Sequence, residues 1–192
     1  MGRSIAKMRL WSILRVGAML AFLSSMAWGA EFTADVVIDQ DGKVYRGVAF
    51  IKDTNVRYEL TAEAGEEVII YRGDFGAQWT IFPKEEVYVE LWNYFSEDFI
   101  VPELTRRLSE IATEEPLGSE TVGGLECDVS LFRFHDPAQG TITVYRAREL
   151  DYPIKIKAEN KYSRLTKEYQ NIKKDSLKDS LFELPKGLSM LK

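Results

Sequence analysis

The chain has 192 residues, with 25 basic and 30 acidic side chains, one cysteine and one histidine. The acidic balance argues against a nucleic-acid partner, because phosphate backbones are bound by clustered Lys and Arg. A single cysteine excludes an intramolecular disulfide, and one His with one Cys excludes the usual zinc sites, so neither a metal nor another cofactor is expected.

In chain order, the first element reads as an export signal over residues 1–29. Arg3, Lys7, Arg9 and Arg15 lead into the apolar run Val16 to Leu23, and small residues follow. Ala27 and Gly29 occupy the −3 and −1 positions of a cleavage site, so cleavage is expected after Gly29, with cleavage after Ala27 also chemically acceptable. The uninterrupted apolar run is shorter than the ~20 residues that span a bilayer, which favours cleavage over an anchor. Processing removes four basic residues and leaves 21 basic against 30 acidic, a net charge of −9. Residues 30–192 suffice for one core and are short for two. No cysteine adjoins the cleavage site to carry a lipid, so the mature chain is expected to be soluble.

Strands follow. Phe32, Ala34, Val36 and Ile38 alternate with polar residues, Asp41-Gly42 marks a hairpin, and Val44 to Lys52 returns. In Phe50 to Leu60, Val56, Tyr58 and Leu60 fall on one side of a strand, with Arg57, Glu59 and Thr61 on the other. Val68 to Tyr71, Gln78 to Phe82 and Val87 to Leu91 complete an antiparallel meander. The period then changes: Leu104, Leu108, Ile111 and Ala112 form one stripe of an amphipathic helix, opened by Pro102. Four further strands are expected at 126–135, 141–146, 154–158 and 163–172, with Gly118, Gly123 and Gly124 in a loop and hairpin before them. A short helical turn is expected near Asp175 to Leu181. The fold class is α+β: one large antiparallel sheet with a helical insertion across one face.

Three stretches stand out: Lys52-Asp53-Thr54-Asn55-Val56-Arg57-Tyr58, the spaced Asp74, Trp79 and Pro83, and Phe182-Glu183-Leu184-Pro185-Lys186-Gly187. Together they resemble the basic-Pro-x-x-aromatic-Arg-Trp run, the Asp…Trp…Pro strand pair and the closing Phe-x-x-Pro-x-Gly of the LolA-type proteins, which sort outer-membrane lipoproteins in the Gram-negative periplasm. The resemblance implies an unclosed β-barrel covered by one or two helices, a periplasmic location, and an apolar cavity that shelters an acyl lipid or lipoprotein. Each buried methylene contributes about 0.8 kcal/mol, so a cavity taking about ten of them holds a lipid tightly. The sequence departs from the family where Lys52-Asp53 replaces Arg-Pro. Lys keeps the charge without the planar fork, and Asp adds a negative charge beside it.

On this reading Val56, Tyr58, Leu60, Ile70, Trp79, Ile81, Val87 and Val89 are candidates to line the cavity; alternation alone favours a plain core, and the resemblance brings the cavity level with it. Lys52 and Arg57 are head-group candidates, and Leu104, Leu108 and Ile111 mark a lid or a packed helix. The alternative function is a sensing or scaffolding module that contacts an envelope protein through a strand edge or helix. An enzyme is not expected. Cys127 and His135, eight residues apart on one strand, stand ~26 Å from each other and cannot act together. Arg72-Gly73-Asp74 spells an adhesion tripeptide at a strand-ending turn and is read as coincidence.

Overall fold

The computed structural model describes residues 29–62, 65–74, 76–92, 108 and 110–191. Among the described residues twelve strands form one sheet: β1 (Glu31–Gln40), β2 (Lys43–Lys52), β3 (Asn55–Ala62), β4 (Gly65–Arg72), β5 (Ala77–Phe82), β6 (Val87–Trp92), β7 (Ala112–Val122), β8 (Leu125–Phe134), β9 (Thr141–Ala147), β10 (Tyr152–Glu159), β11 (Arg164–Lys174) and β12 (Ser189–Met190). Their order is β12-β6-β5-β4-β3-β2-β1-β11-β10-β9-β8-β7, so the sheet is not closed and ends at β12 and β7. Two meanders, β1–β6 and β7–β11, meet where β1 pairs antiparallel with β11. The last strand returns parallel to β6.

Local chemistry sets the turns. Asp41 and Gly42 both take positive φ, 53° and 84°, which is the geometry of a two-residue hairpin whose twist matches its strands. Asp151 (φ 48°) turns the chain between β9 and β10, and Asp136 caps a 3₁₀ turn at Pro137–Gln139 by accepting from Ala138 N. Gly47 has a different role: a Cβ there would lie 1.9 Å from the Glu59 carbonyl oxygen, so only glycine lets β3 lie this close.

Register sorts the side chains onto two faces. Phe32, Ala34, Val36 and Ile38 of β1 align across β2 with Ala49 and Ile51, and then with Val56, Tyr58 and Leu60 of β3. All are buried in one cluster, with Tyr152, Ile154, Leu165 and Tyr169 from the second meander. Ile70, Trp79 and Ile81 point to the opposite face. There they pack against Leu177 and Phe182 of the segment that follows β11, with Leu181, Leu184 and Leu188 at its margin. That segment crosses the back of β2–β5 as a strap, passing through a 3₁₀ turn at Asp179–Phe182 before β12. The sequence places a helical turn in the same region.

The middle of the chain departs from expectation in two places. Residues 108, 110 and 111 are helical, but Ala112 already opens β7, so the apolar stripe does not run through it. Leu104 and most of the expected helix lie outside the described residues, and a helical cover is not established. Leu108 is buried against Phe132, Ile142, Val144 and Ile156, whereas Ile111 is exposed and closes nothing. The segment from Pro116 to Val122, expected as a loop, is strand. Only the two ends of β7 are buried, and the rest has no apolar alternation to read. It is strand because β8 pairs with it; glutamates, Pro116 and a bulge at Pro116/Gly118 suit an edge that must not recruit further strands.

Phe182 is 1% exposed and anchors the strap. Replacing it with Ala is expected to cost about 3–5 kcal/mol in urea unfolding, as for other large-to-small changes of buried aromatics. A loss below about 1 kcal/mol would mean that the strap contributes little to the core.

Candidate functional site

The site is built on the larger core face, from β1, β3, β10 and β11. Strand β11 carries an unusual inward set. Leu165, Lys167 and Tyr169 are buried, while Thr166 and Glu168 between them are not fully buried. The β1–β11 register sets Tyr169 beside Val36 and Lys167 beside Ile38.

Two fully buried tyrosines, Tyr58 and Tyr169, flank this lysine, and a third, Tyr152, packs against Tyr169. The Tyr58 and Tyr169 hydroxyls lie 2.5 Å apart, and Lys167 Nζ donates to the Tyr58 hydroxyl at 3.3 Å. The ammonium also stands 5.6 Å from the centre of the Tyr58 ring and 5.9 Å from that of Tyr169, within cation–π range. Tyr152 packs edge-on against Phe32 at 5.3 Å and meets Tyr169 at 6.1 Å. Its buried hydroxyl makes no hydrogen bond of good geometry among the described residues, a deficit that costs about 1–3 kcal/mol in a dry site. Burial pushes the phenol pKa of Tyr58, Tyr152 and Tyr169 well above the ordinary tyrosine value. The site is therefore a polar knot, a buried lysine and three tyrosine hydroxyls, within a largely apolar face.

The eight residues proposed from sequence do not share one surface. Val56, Tyr58 and Leu60 lie on the larger core face, and the register carries that face through Ile69 and Thr80 to Val89, with Val87 two residues before it. Ile70, Trp79 and Ile81 lie behind the sheet under the strap. Lys52 and Arg57 are also on that rear side. Lys52 donates to the Leu177 carbonyl at 2.8 Å and pairs with Asp179 at 2.7 Å; Arg57 donates to the Leu181 carbonyl at 3.2 Å. The Asp179 carboxylate raises the Lys52 pKa and is itself held low by that lysine. Lys167 is absent from the residues chosen by sequence. Its signal lies in Leu165, Lys167 and Tyr169, where a lysine takes an apolar position in a period-two strand.

Cys127 is buried in β8 and its thiol pKa is raised by burial, the opposite of an activated nucleophile. Among the described residues no group of three or more His, Cys, Asp or Glu is arranged to hold a metal ion.

No protein-family model matches the chain, and no curated protein matches it. Solved structures do. The chain is similar to MucB, known from Pseudomonas aeruginosa in complex with MucA, at 14% identity and a TM-score of 0.56, covering 90% of this chain and 63% of MucB. It therefore spans under two thirds of that protein's length. It is also similar to an uncharacterized conserved protein from Thermus thermophilus, at 9% identity and a TM-score of 0.59, covering 92% of this chain and 98% of that one. A LolA superfamily protein, NE2245 from Nitrosomonas europaea, is matched at 14% identity and a TM-score of 0.45 over 83% and 92% of the two chains. The likeness to the first two structures shows a shared fold.

The raised tyrosine pKa values carry a pH dependence. Unfolded tyrosine ionises near pH 10, whereas these three stay neutral in the folded state, so their contribution is complete below about pH 10 and is lost as pH rises toward the folded values. Stability in urea is expected to fall above about pH 10, by up to ~1.4 kcal/mol per pH unit for each buried phenol. Tyr58→Phe is expected to make that fall shallower. An unchanged slope in a folded Tyr58→Phe protein would contradict the burial of this phenol.

Proposed function

We propose that this protein binds one amphiphile in the periplasm, without catalysing a reaction on it. The acyl part lies against Val56, Tyr58 and Leu60 and extends toward Val87 and Val89, and the polar end meets Lys167 and the hydroxyls of Tyr58, Tyr152 and Tyr169. The observation that carries this reading is the polar knot itself: Lys167, 1% exposed, donates to the Tyr58 hydroxyl, which lies 2.5 Å from that of Tyr169. Burying a charge is costly, and a core built only for stability gains more from an aliphatic side chain at that position. The open sheet, similar to MucB and unclosed between β7 and β12, supports access to that face. Residues 1–29, signal-like in sequence, support export.

A second reading has its own support. MucB, a protein of similar fold, has been solved in complex with MucA. On that reading the chain binds an extended segment of an envelope protein.

The test is titration of the mature protein with a fluorescent fatty acid, detergent-free. Saturable uptake at one per chain is expected, weakened about tenfold or more by Lys167→Met, the loss of a charge-assisted contact, and abolished by Leu60→Glu. Circular dichroism would verify that each variant is folded. Absence of uptake by the unmodified protein would sink the reading, and unchanged affinity in folded Lys167→Met would remove the head-group role.

A further inference from the structure

We propose that Asp53 receives the amino terminus that export processing creates at Ala30. The inference rests on the export reading above and adds to it a defined mature end with a partner built for it.

Ala30 is already fixed to the turn between β2 and β3, because Asp53 N donates to the Ala30 carbonyl at 2.8 Å. The Asp53 side chain leans the same way. A Cβ placed on Gly29 would lie 1.5 Å from Asp53 Oδ1, so the carboxylate rests directly against the Gly29 α-carbon. Standard backbone dimensions then put that oxygen within about 5.5 Å of the Ala30 nitrogen. In the uncleaved chain this nitrogen is a neutral amide, and the carboxylate sits against the residue before it. Hydrolysis of the Gly29–Ala30 bond adds water across it: Gly29 leaves with the new carboxylate, and Ala30 keeps an amine that is protonated at neutral pH. The space held by Gly29 opens, and a rotation of the Asp53 side chain closes an ion pair.

Asp53 is the carboxylate placed for this role, because its own N–H holds the Ala30 carbonyl and its side chain rests against Gly29. Glu31 accepts from Leu177 N at 2.8 Å and faces Lys52 at 3.6 Å, and Lys52 is held by Asp179. Beside Ala30 opens a cleft of about 570 Å³, into which Glu149, Lys174 and Asp175 also face. Glu149 pairs with Lys174 at 2.6 Å, and Asp175 accepts from Ser176 N at 2.8 Å. Asp53 has no ion pair among the described residues. Its φ of 55° also favours Asp or Asn over most residues, so the turn selects the position and leaves its charge for another use. This gives the acidic residue next to Lys52 a function: the mature end is tied to the sheet only after the signal is removed.

The test combines intact mass with a titration of the α-amino group. Protein recovered from the periplasm is expected to begin at Ala30. A mature chain beginning at Trp28 or elsewhere would overturn the inference while leaving export intact, and a chain retaining residues 1–29 would overturn export as well. The Ala30 α-amino pKa, read by NMR, is expected to lie above the ordinary value of about 7.7–8.0 and to fall back in Asp53→Asn, which keeps the turn and its backbone hydrogen bond. A raised folded value means that the added stability is full below about pH 7.7 and disappears as pH rises through the folded pKa. An Ala30 pKa unaffected by Asp53→Asn would overturn the pairing.

Discussion

The pairing of β1 with β11 holds the two halves of this protein together. Each meander is built from local hairpins, but this one antiparallel ladder joins residues far apart in the chain, from Phe32↔Lys174 to Gln40↔Leu165. Such a contact is made against the entropy of closing a long loop, so both strands must bury enough to offset it. They do: Phe32, Val36, Tyr169 and Lys167 are each no more than 1% exposed. The same ladder brings Lys167 of the second meander to Tyr58 of the first. The candidate site is therefore a product of the seam, and neither meander alone contains it.

The rear of the sheet solves a different problem. An open sheet has two faces to cover, and the chain covers the second with its own carboxyl-terminal strap. Lys52, Arg57 and Arg72 donate to the carbonyls of Leu177, Leu181 and Phe182, which an irregular segment cannot satisfy within itself. Leu177 and Phe182 supply the apolar contact. With the back of β2–β5 covered, these positive residues are engaged in structure, and among the described residues the buried lysine on the larger core face is Lys167. β12 then lies along β6 and limits how much of that edge is open.

Much of this is legible in the sequence, for physical reasons. Period-two alternation marks β1 through β6 and β8 through β11, and Asp41-Gly42 fixes a hairpin by the positive φ that these residues tolerate. Alternation also puts Val56, Tyr58 and Leu60 on one side of β3. It does not say which side of β4 and β5 continues that face, because the register between strands is set by pairing and not by either strand alone. Ile70, Trp79 and Ile81 group with Tyr58 on alternation for that reason, and they lie behind it. β7 is hidden because an edge strand facing solvent on nearly all its length needs no apolar pattern. Lys167 is hidden because a charged residue at an apolar position reads as noise until its neighbour 109 residues away is known.

Whether the face around Lys167 and Tyr58 holds an amphiphile is decided by native mass spectrometry of the protein taken from the periplasm without detergent, followed by solvent extraction and lipid analysis. One acyl-bearing species per chain, released on unfolding, is expected. A clean ligand-free mass, with no uptake of added fatty acid, would contradict the binding role and make that face an ordinary core.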